Sequence, residues 1–319
     1  MKFRTEIKIP EGKKKISYQS KIVLYGSCFT ENIEEKLTYF QFQNNSNSHG
    51  ILFNPKAIEK AINDCIQNKE YKESDLYFFN DLWISMNHHS RFSSLKAETV
   101  LRNINKEIRK NHTALKEATH IIITLGTAWA YRFYNSNELV ANCHKIPQKE
   151  YSKEFLDTDW VYTTLQKITE RISSFNPGVQ IIFTVSPVRH LKDGFTENNL
   201  SKATLITAIH KIINSKNISY FPSFEIMTDD LRDYRFYKKD MVHPNEVAVE
   251  YIWKLFKETW IDKKDHHLMK EVDKINKALE HRPFNTDTPK HREFILNLEE
   301  KIGKLRTKHP FLNFTQKEN

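Results

Sequence analysis

The stretch Lys21-Ile22-Val23-Leu24-Tyr25-Gly26-Ser27-Cys28-Phe29-Thr30-Glu31-Asn32-Ile33 decides how this chain is read. A short apolar run of β-forming residues stops at Gly26, and two small residues with nucleophilic side chains follow before a helix-like segment. Strand, sharp turn and helix start in that order place a thiol outside the carboxyl end of a strand, where open α/β sheets bind ligands. Thr30 with Ile33 three residues on is a poor capping box, so the helix start is argued from position. Cys28 is the first candidate site residue.

Downstream, residues 30–39 read as a short helix and 40–54 as a polar loop holding His49-Gly50 and Ile51-Leu52-Phe53. Pro55 suits the first turn of a helix, and Ile58, Ala61, Ile62, Cys65 and Ile66 fall on one face of it; Cys65 is expected to be an inert core thiol. Residues 75–87 read as an aromatic hairpin turning at Asn80-Asp81, a flap over a site or an extension of a sheet, followed by a polar helix over 94–118. The run 119–125 is a strand buried on both faces, ending at Gly126-Thr127-Ala128-Trp129. A second hairpin turns at Asn135-Ser136-Asn137. A helix over 152–174 leads to a strand over 179–185 that ends at Ser186-Pro187-Val188-Arg189-His190. A helix over 199–215, a strand over 218–221 and a helix from about 245 to 260 complete the alternation.

That alternation predicts a three-layer α/β fold, flavodoxin-like, with a mainly parallel sheet, helices on both faces and hairpin insertions. The loops after parallel strands share one edge, so the Gly-, Ser-, Cys-, Pro-, Thr- and Asn-rich segments should converge there. The domain reading is 1–260 for the α/β unit and 261–319 for a charged helical extension, broken at His281-Arg282-Pro283 and closed by Pro310-Phe311.

In 319 residues, 39% are hydrophobic and 12% aromatic, enough for a substantial core and not the composition of a disordered chain. Three cysteines are too few for a disulfide framework and fit a reducing compartment, so a cytoplasmic location is expected. No apolar run is long enough to span a membrane. The net charge is +9, but residues 1–20 alone hold six Lys/Arg against two Glu, and 261–319 hold 13 against 10. Charge spread this way reads as solvated surface, and nucleic acid is not expected as a partner. No phosphate-binding loop is present, the histidines show no metal-type spacing, and neither a metal nor another cofactor is expected.

A thiol nucleophile needs a base and a group to orient that base. Asp240 and His243, three apart in a turn before a helix, supply the pair: the carboxylate can hold imidazole Nδ1 and leave Nε2 for the nucleophile. Gly26-Ser27-Cys28-Phe29 and Asp240-Met241-Val242-His243-Pro244 resemble the first and last blocks of the SGNH/GDSL hydrolases. More closely, the chain resembles the GSCFA family from about residue 22 to 260. Gly126-Thr127-Ala128-Trp129, Asn142-Cys143-His144-Lys145, Ser186-Pro187-Val188-Arg189-His190 and Arg232-Asp233-Tyr234-Arg235-Phe236-Tyr237 resemble that family's motifs.

The resemblance implies a Cys28–His243–Asp240 triad, with Cys28 in the place of the SGNH serine and Gly50 as the second-block oxyanion donor. The third block departs: no asparagine stands in Gly126-Thr127-Ala128-Trp129, so Thr127, Trp129 or Asn142 is expected to replace that donor. A thiol at a helix N-terminus beside a histidine is expected to ionise below its usual range. His144 is expected to be structural or substrate-facing, and Arg189 to bind an anionic group or form a structural ion pair. The resemblance implies hydrolysis of an acyl ester or thioester, or transfer of the acyl group, on a small molecule or glycan. The rival reading is a non-catalytic protein that binds a glycan or acyl group in the same cleft.

Overall fold

Along β1 (Lys21–Gly26) successive side chains point to opposite faces, and every residue after Lys21 is buried, so a layer must cover each side. The computed structural model describes residues 5–213, 217–281, 285–286 and 288–314. In it the chain turns from β1 into α1 (Cys28–Tyr39), β2 (Gln43–Ser46) and α2 (Pro55–Ile66). A hairpin of β3 (Tyr77–Phe79) and β4 (Leu82–Ile84) precedes α3 (Ala97–Glu117) and β5 (His120–Leu125). Then come β6 (Trp129–Phe133), β7 (Glu138–Val140), β8 (Tyr151–Phe155), α4 (Thr158–Phe175) and β9 (Gln180–Val185). The last elements are α5 (Phe195–Ile212), β10 (Ile218–Phe221), the single turn α6 (Ser223–Glu225), α7 (Glu246–Trp260), α8 (His266–Glu280) and α9 (Pro289–Lys308).

The central sheet has five strands in the order β10-β9-β5-β1-β2, all paired in parallel. Counted along the chain, that is the 2-1-3-4-5 order read from the other edge, whose switch point lies between β1 and β5. The expected three-layer α/β fold is therefore the one observed. Val23, Tyr25, Ile121, Ile123, Leu125, Phe183 and Val185 pack with α2, α4 and α5 on one side. Ile22, Leu24, Ile122 and Ile182 pack with α1, α7, α8 and Leu298 of α9 on the other. The C-terminal helices thus share a core with the sheet. The arm before β1 is tied to the end of α7, where Gly12 N–H donates to Thr259 O at 2.9 Å and Ile16 N–H to Trp260 O at 2.8 Å.

Two segments depart from the sequence reading. Gln43-Asn44-Asn45-Ser46, read as loop, is the edge strand β2. An edge strand with one paired side tolerates polar residues, so it carries no apolar alternation to betray it. Residues 151–155, read mostly as helix, form β8 antiparallel to β6. The helix starts only after Asp157, whose carboxylate accepts from Trp160 N–H at 2.8 Å; that cap was the signal in the sequence. The helix read over 199–215 starts earlier, at Phe195. Residues 214–216 lie outside the described residues, as do 282 and 283 of the break expected at 281–283, while His281 follows the end of α8 at Glu280. Other local signals act as read: Pro55 opens α2 behind the Asn54 cap, and Asn80 and Asp81 take positive φ at 46° and 61° in the β3–β4 turn.

Gly26 ends β1 at φ +140°, and a Cβ there would lie 2.1 Å from Thr124 O on β5. Gly26→Ala should therefore strain both the turn and the β1–β5 pairing, and a loss of at least about 2 kcal/mol is expected. Urea denaturation measures it; wild-type stability in the variant would refute the constraint.

Candidate active site

The turn after β1 presents Cys28 as the first residue of α1. Ser27 is the N-cap, yet its side chain makes no capping bond, and its fully buried hydroxyl has no hydrogen-bond partner among the described residues. The N–H groups of Cys28 and Phe29 reach the Cys28 sulfur and favour its thiolate. Burial, followed by the charge of Glu31, acts the other way and outweighs them together with Lys202, so the thiol sits above its ordinary range. The expectation of a lowered Cys28 pKa is thus corrected: the half-buried sulfur loses more to desolvation than the helix terminus returns.

The base candidate stands in the loop between β10 and α7. Asp240 Oδ2 accepts from His243 Nδ1 at 2.7 Å, while Oδ1 accepts from the N–H groups of Val242 and His243 at 2.9 and 3.0 Å. Those two backbone donors and the imidazole hold the Asp240 carboxyl down at about 2. The side chains are 42% (His243) and 47% (Asp240) exposed, so this pair contributes orientation rather than stability. Among the described residues His243 Nε2 makes no hydrogen bond, and none joins His243 to the Cys28 sulfur. Val242 and Cys28 nevertheless pack against the same apolar cluster.

Arg189 braces this loop. Its guanidinium donates to Met241 O at 3.1 Å and Tyr234 Oη at 3.4 Å, its N–H donates to Val242 O at 3.2 Å, and it lies over the rings of Tyr234, Tyr237 and Phe195. The ion pair expected as one option for Arg189 is therefore replaced by carbonyl and aromatic contacts. Asp233 pairs with Arg235 at 3.1 Å, and Asn245 caps α7 while donating to Arg235 O at 2.7 Å.

Three of the expected oxyanion donors, Gly50, Thr127 and Trp129, are committed elsewhere. Gly50 N–H donates to Asn47 O at 2.7 Å within its own turn. Gly50 is needed there for space, because a Cβ would lie 2.2 Å from that of His89 at φ +80°. The Thr127 hydroxyl bonds Ser201 Oγ at 3.0 Å and accepts from Trp129 N–H at 3.1 Å. Trp129 Nε1 donates to Glu197 O at 3.3 Å. Asn142 Oδ1 accepts from His144 N–H within the loop after β7, and His144 Nε2 meets Ser85 O at 2.8 Å, which secures that loop to the segment after β4. Among the described residues the Asn142 amide N–H2 finds no acceptor, and the Cys28 N–H lies at the sulfur.

Sequence reading missed two buried features. The first is Lys202 of α5, 1% exposed, whose Nζ donates to Gly126 O at 2.6 Å and Ser186 O at 2.8 Å. Its signal was a lysine on the apolar stripe of Leu205 and Ile209. Burial pulls its ammonium down to about 7, and the charge of Cys28 opposes that fall. Burial, with the charges of Lys202 and His243, likewise takes His190 down to about 3. The second feature braces the Asn47–Gly50 turn. Cys65 Sγ donates to Ser48 Oγ at 3.4 Å, Ser48 meets His49 Nδ1 at 3.0 Å, and His49 Nε2 meets Asp64 Oδ2 at 3.4 Å. Tyr71 and Lys60 also donate to Asp64, and His88 stacks on His49 at 4.2 Å. From the same turn, Asn47 Oδ1 accepts from Gly26 N–H at 2.9 Å. Cys65 is indeed a core thiol, pushed up to about 11 by burial.

Comparison with family profiles finds the GSCFA family over residues 21–256. The GSCFA domain protein, C-terminal domain, matches residues 272–319. Comparison with curated proteins finds no match. Among the described residues no group of His, Cys, Asp and Glu is placed to hold a metal ion, and no helix is long and apolar enough to cross a membrane.

Two outcomes are expected. Glu31→Gln removes a charge that opposes the thiolate, so Cys28 should alkylate about two- to fivefold faster at pH 7.5; an unchanged rate counts against the pairing. Burial raises the Asp64 pKa, but the bonds from His49 and Lys60 prevail and hold it at about 2, below its ordinary value. Its contribution to stability is thus present above about pH 4 and lost as pH falls toward 2. Asp64→Asn should melt lower at pH 7 and show a flatter acid limb across that window.

Proposed function

The chain belongs to the GSCFA family, and on that premise we propose that it carries out acyl-ester or thioester chemistry through Cys28. His243 serves as general base and acid in this reading, and Asp240 as its orienting group. Kinship with the SGNH hydrolases is part of the same proposal. The observation that carries it is the Asp240–His243 bond of 2.7 Å on Nδ1. It leaves Nε2 unbonded on a loop whose Val242 shares the apolar cluster of Cys28.

In the first half-reaction His243 Nε2 takes the Cys28 proton and the sulfur attacks the acyl carbonyl carbon. The C–S bond forms and the carbonyl electrons move to oxygen, facing the Cys28 N–H at the start of α1. As the tetrahedral centre collapses, the bond to the alkoxide or thiolate leaving group breaks and His243 returns the proton to it. In the second half-reaction water, or an acceptor alcohol or amine, loses a proton to His243 and attacks the thioester. The C–S bond breaks, His243 gives the proton it took to the departing sulfur, and Cys28 and His243 return to their starting states. Water as acceptor makes the protein a hydrolase; a hydroxyl of a glycan or small molecule makes it an acyltransferase.

A second reading, a binding protein for a glycan or acyl group, is favoured by the commitment of Gly50, Thr127 and Trp129 to internal hydrogen bonds. Incubation with an activated short-chain ester, followed by intact mass and peptide mapping, separates the two. The catalytic reading expects an acyl adduct on Cys28, absent in Cys28→Ala and formed about 10²–10⁴-fold more slowly in His243→Ala. No adduct, together with Cys28 alkylation no faster than that of an ordinary exposed thiol, would leave the binding reading.

A further inference from the structure

The loop after β9 (186–194) and the segment before α7 (232–245) meet at one side chain. Arg189 N–H donates to Val242 O and its guanidinium to Met241 O, while Lys238 N–H donates to His243 O at 2.7 Å. The guanidinium lies 5.1 Å from the ring of Tyr237, 5.2 Å from that of Tyr234 and 5.5 Å from that of Phe195. Although it covers part of them, Phe195 is 61% exposed and Tyr234 58%. Large rings left open side by side mark a contact surface. We propose that this platform of rings and guanidinium, beside the base candidate His243, binds an anionic sugar, the glycan part of the acyl-bearing substrate. The inference rests on the reading of this sheet edge as the substrate cleft and names the substrate class.

Charge selects the sign of the ligand. Of the acids on these two segments, Asp193 pairs with Lys153 at 2.5 Å, Asp233 pairs with Arg235 at 3.1 Å, and Asp240 holds His243. Arg189, Lys238 and Lys239 have no carboxylate partner among the described residues. The guanidinium spends N–H groups on Met241 O and Tyr234 Oη, and its remaining donors can meet a carboxylate or phosphate, the planar or multi-oxygen groups it recognises best. Shape selects the class. A sugar ring presents C–H groups on its face and oxygens at its edge. The face suits an open aromatic ring, and the edge suits the guanidinium. An acyl chain has no polar edge, and an enclosed apolar cavity holds it better than exposed rings do.

Saturation-transfer NMR titrations with D-galacturonate and D-glucuronate test this, with D-galactose as the neutral sugar and hexanoate as the acyl anion. They are run on wild type, Tyr234→Ala, Phe195→Ala and Arg189→Lys. The two sugar acids should saturate, compete with each other and bind at least about tenfold more tightly than D-galactose. Tyr234→Ala and Phe195→Ala, both at exposed rings, should each weaken binding about three- to tenfold. Arg189→Lys keeps the charge without the planar donors and should weaken it about tenfold. No saturation by either acid overturns the inference, as does binding that all three variants leave unchanged. D-Galactose binding as tightly as the acids overturns the anionic assignment. Hexanoate binding as tightly overturns the sugar assignment and makes the platform an acyl-anion site. Variant-sensitive binding of the acids with no acyl adduct on Cys28 would leave this inference standing and sink the catalytic proposal. An adduct with no sugar binding would do the reverse.

Discussion

The approach of Gly26 to Thr124 O, which leaves no room for a Cβ, is the constraint on which the rest of the site depends. It brings the end of β1 against β5 at the point where strand order reverses. From that contact the other segments take their places. Ser27 N–H donates to Thr124 O at 3.2 Å, Leu52 N–H to Gly26 O at 2.9 Å, and Gly126 N–H to Phe53 O at 2.8 Å. Three loops are thereby bonded edge to edge by backbone, so a shift in one is carried to the others.

Buried polar groups hold this edge where apolar packing ends. Asp64 gathers His49, Lys60 and Tyr71 under the Asn47–Gly50 turn, and Lys202 joins the ends of β5 and β9. Each is deeply buried, and a polar group so placed is stable only while its partners remain. The Asp240–His243 pair is of the other kind, half exposed and held by a turn rather than by a core. Its position comes instead from the aromatic and carbonyl clasp of Arg189.

The family and the layer architecture were legible because they rest on local patterns. The apolar runs over 22–25, 121–125 and 181–185 are buried on both faces, and such runs survive any context. Asp240-Met241-Val242-His243 could be read as a carboxylate–imidazole pair because a turn of that length closes on itself. The committed state of Thr127 and Trp129 was not legible, since their partners Ser201 and Glu197 come from a helix far along the chain. Residues 152–155 were misread as helix for the same reason, as their strand exists only by pairing with β6.

By itself, then, the amino-acid order determined the alternation of strand and helix, the thiol at the first turn and the imidazole held by its own loop, all short-range consequences of backbone sterics and side-chain spacing. The tertiary structure alone decided the ionisation of Cys28 and the burial of Lys202. Desolvation depends on what covers a group, and Lys202 reaches the ends of β5 and β9 from a helix far along the chain. No spacing within one segment encodes either, because both arise from segments that meet only when the sheet is assembled.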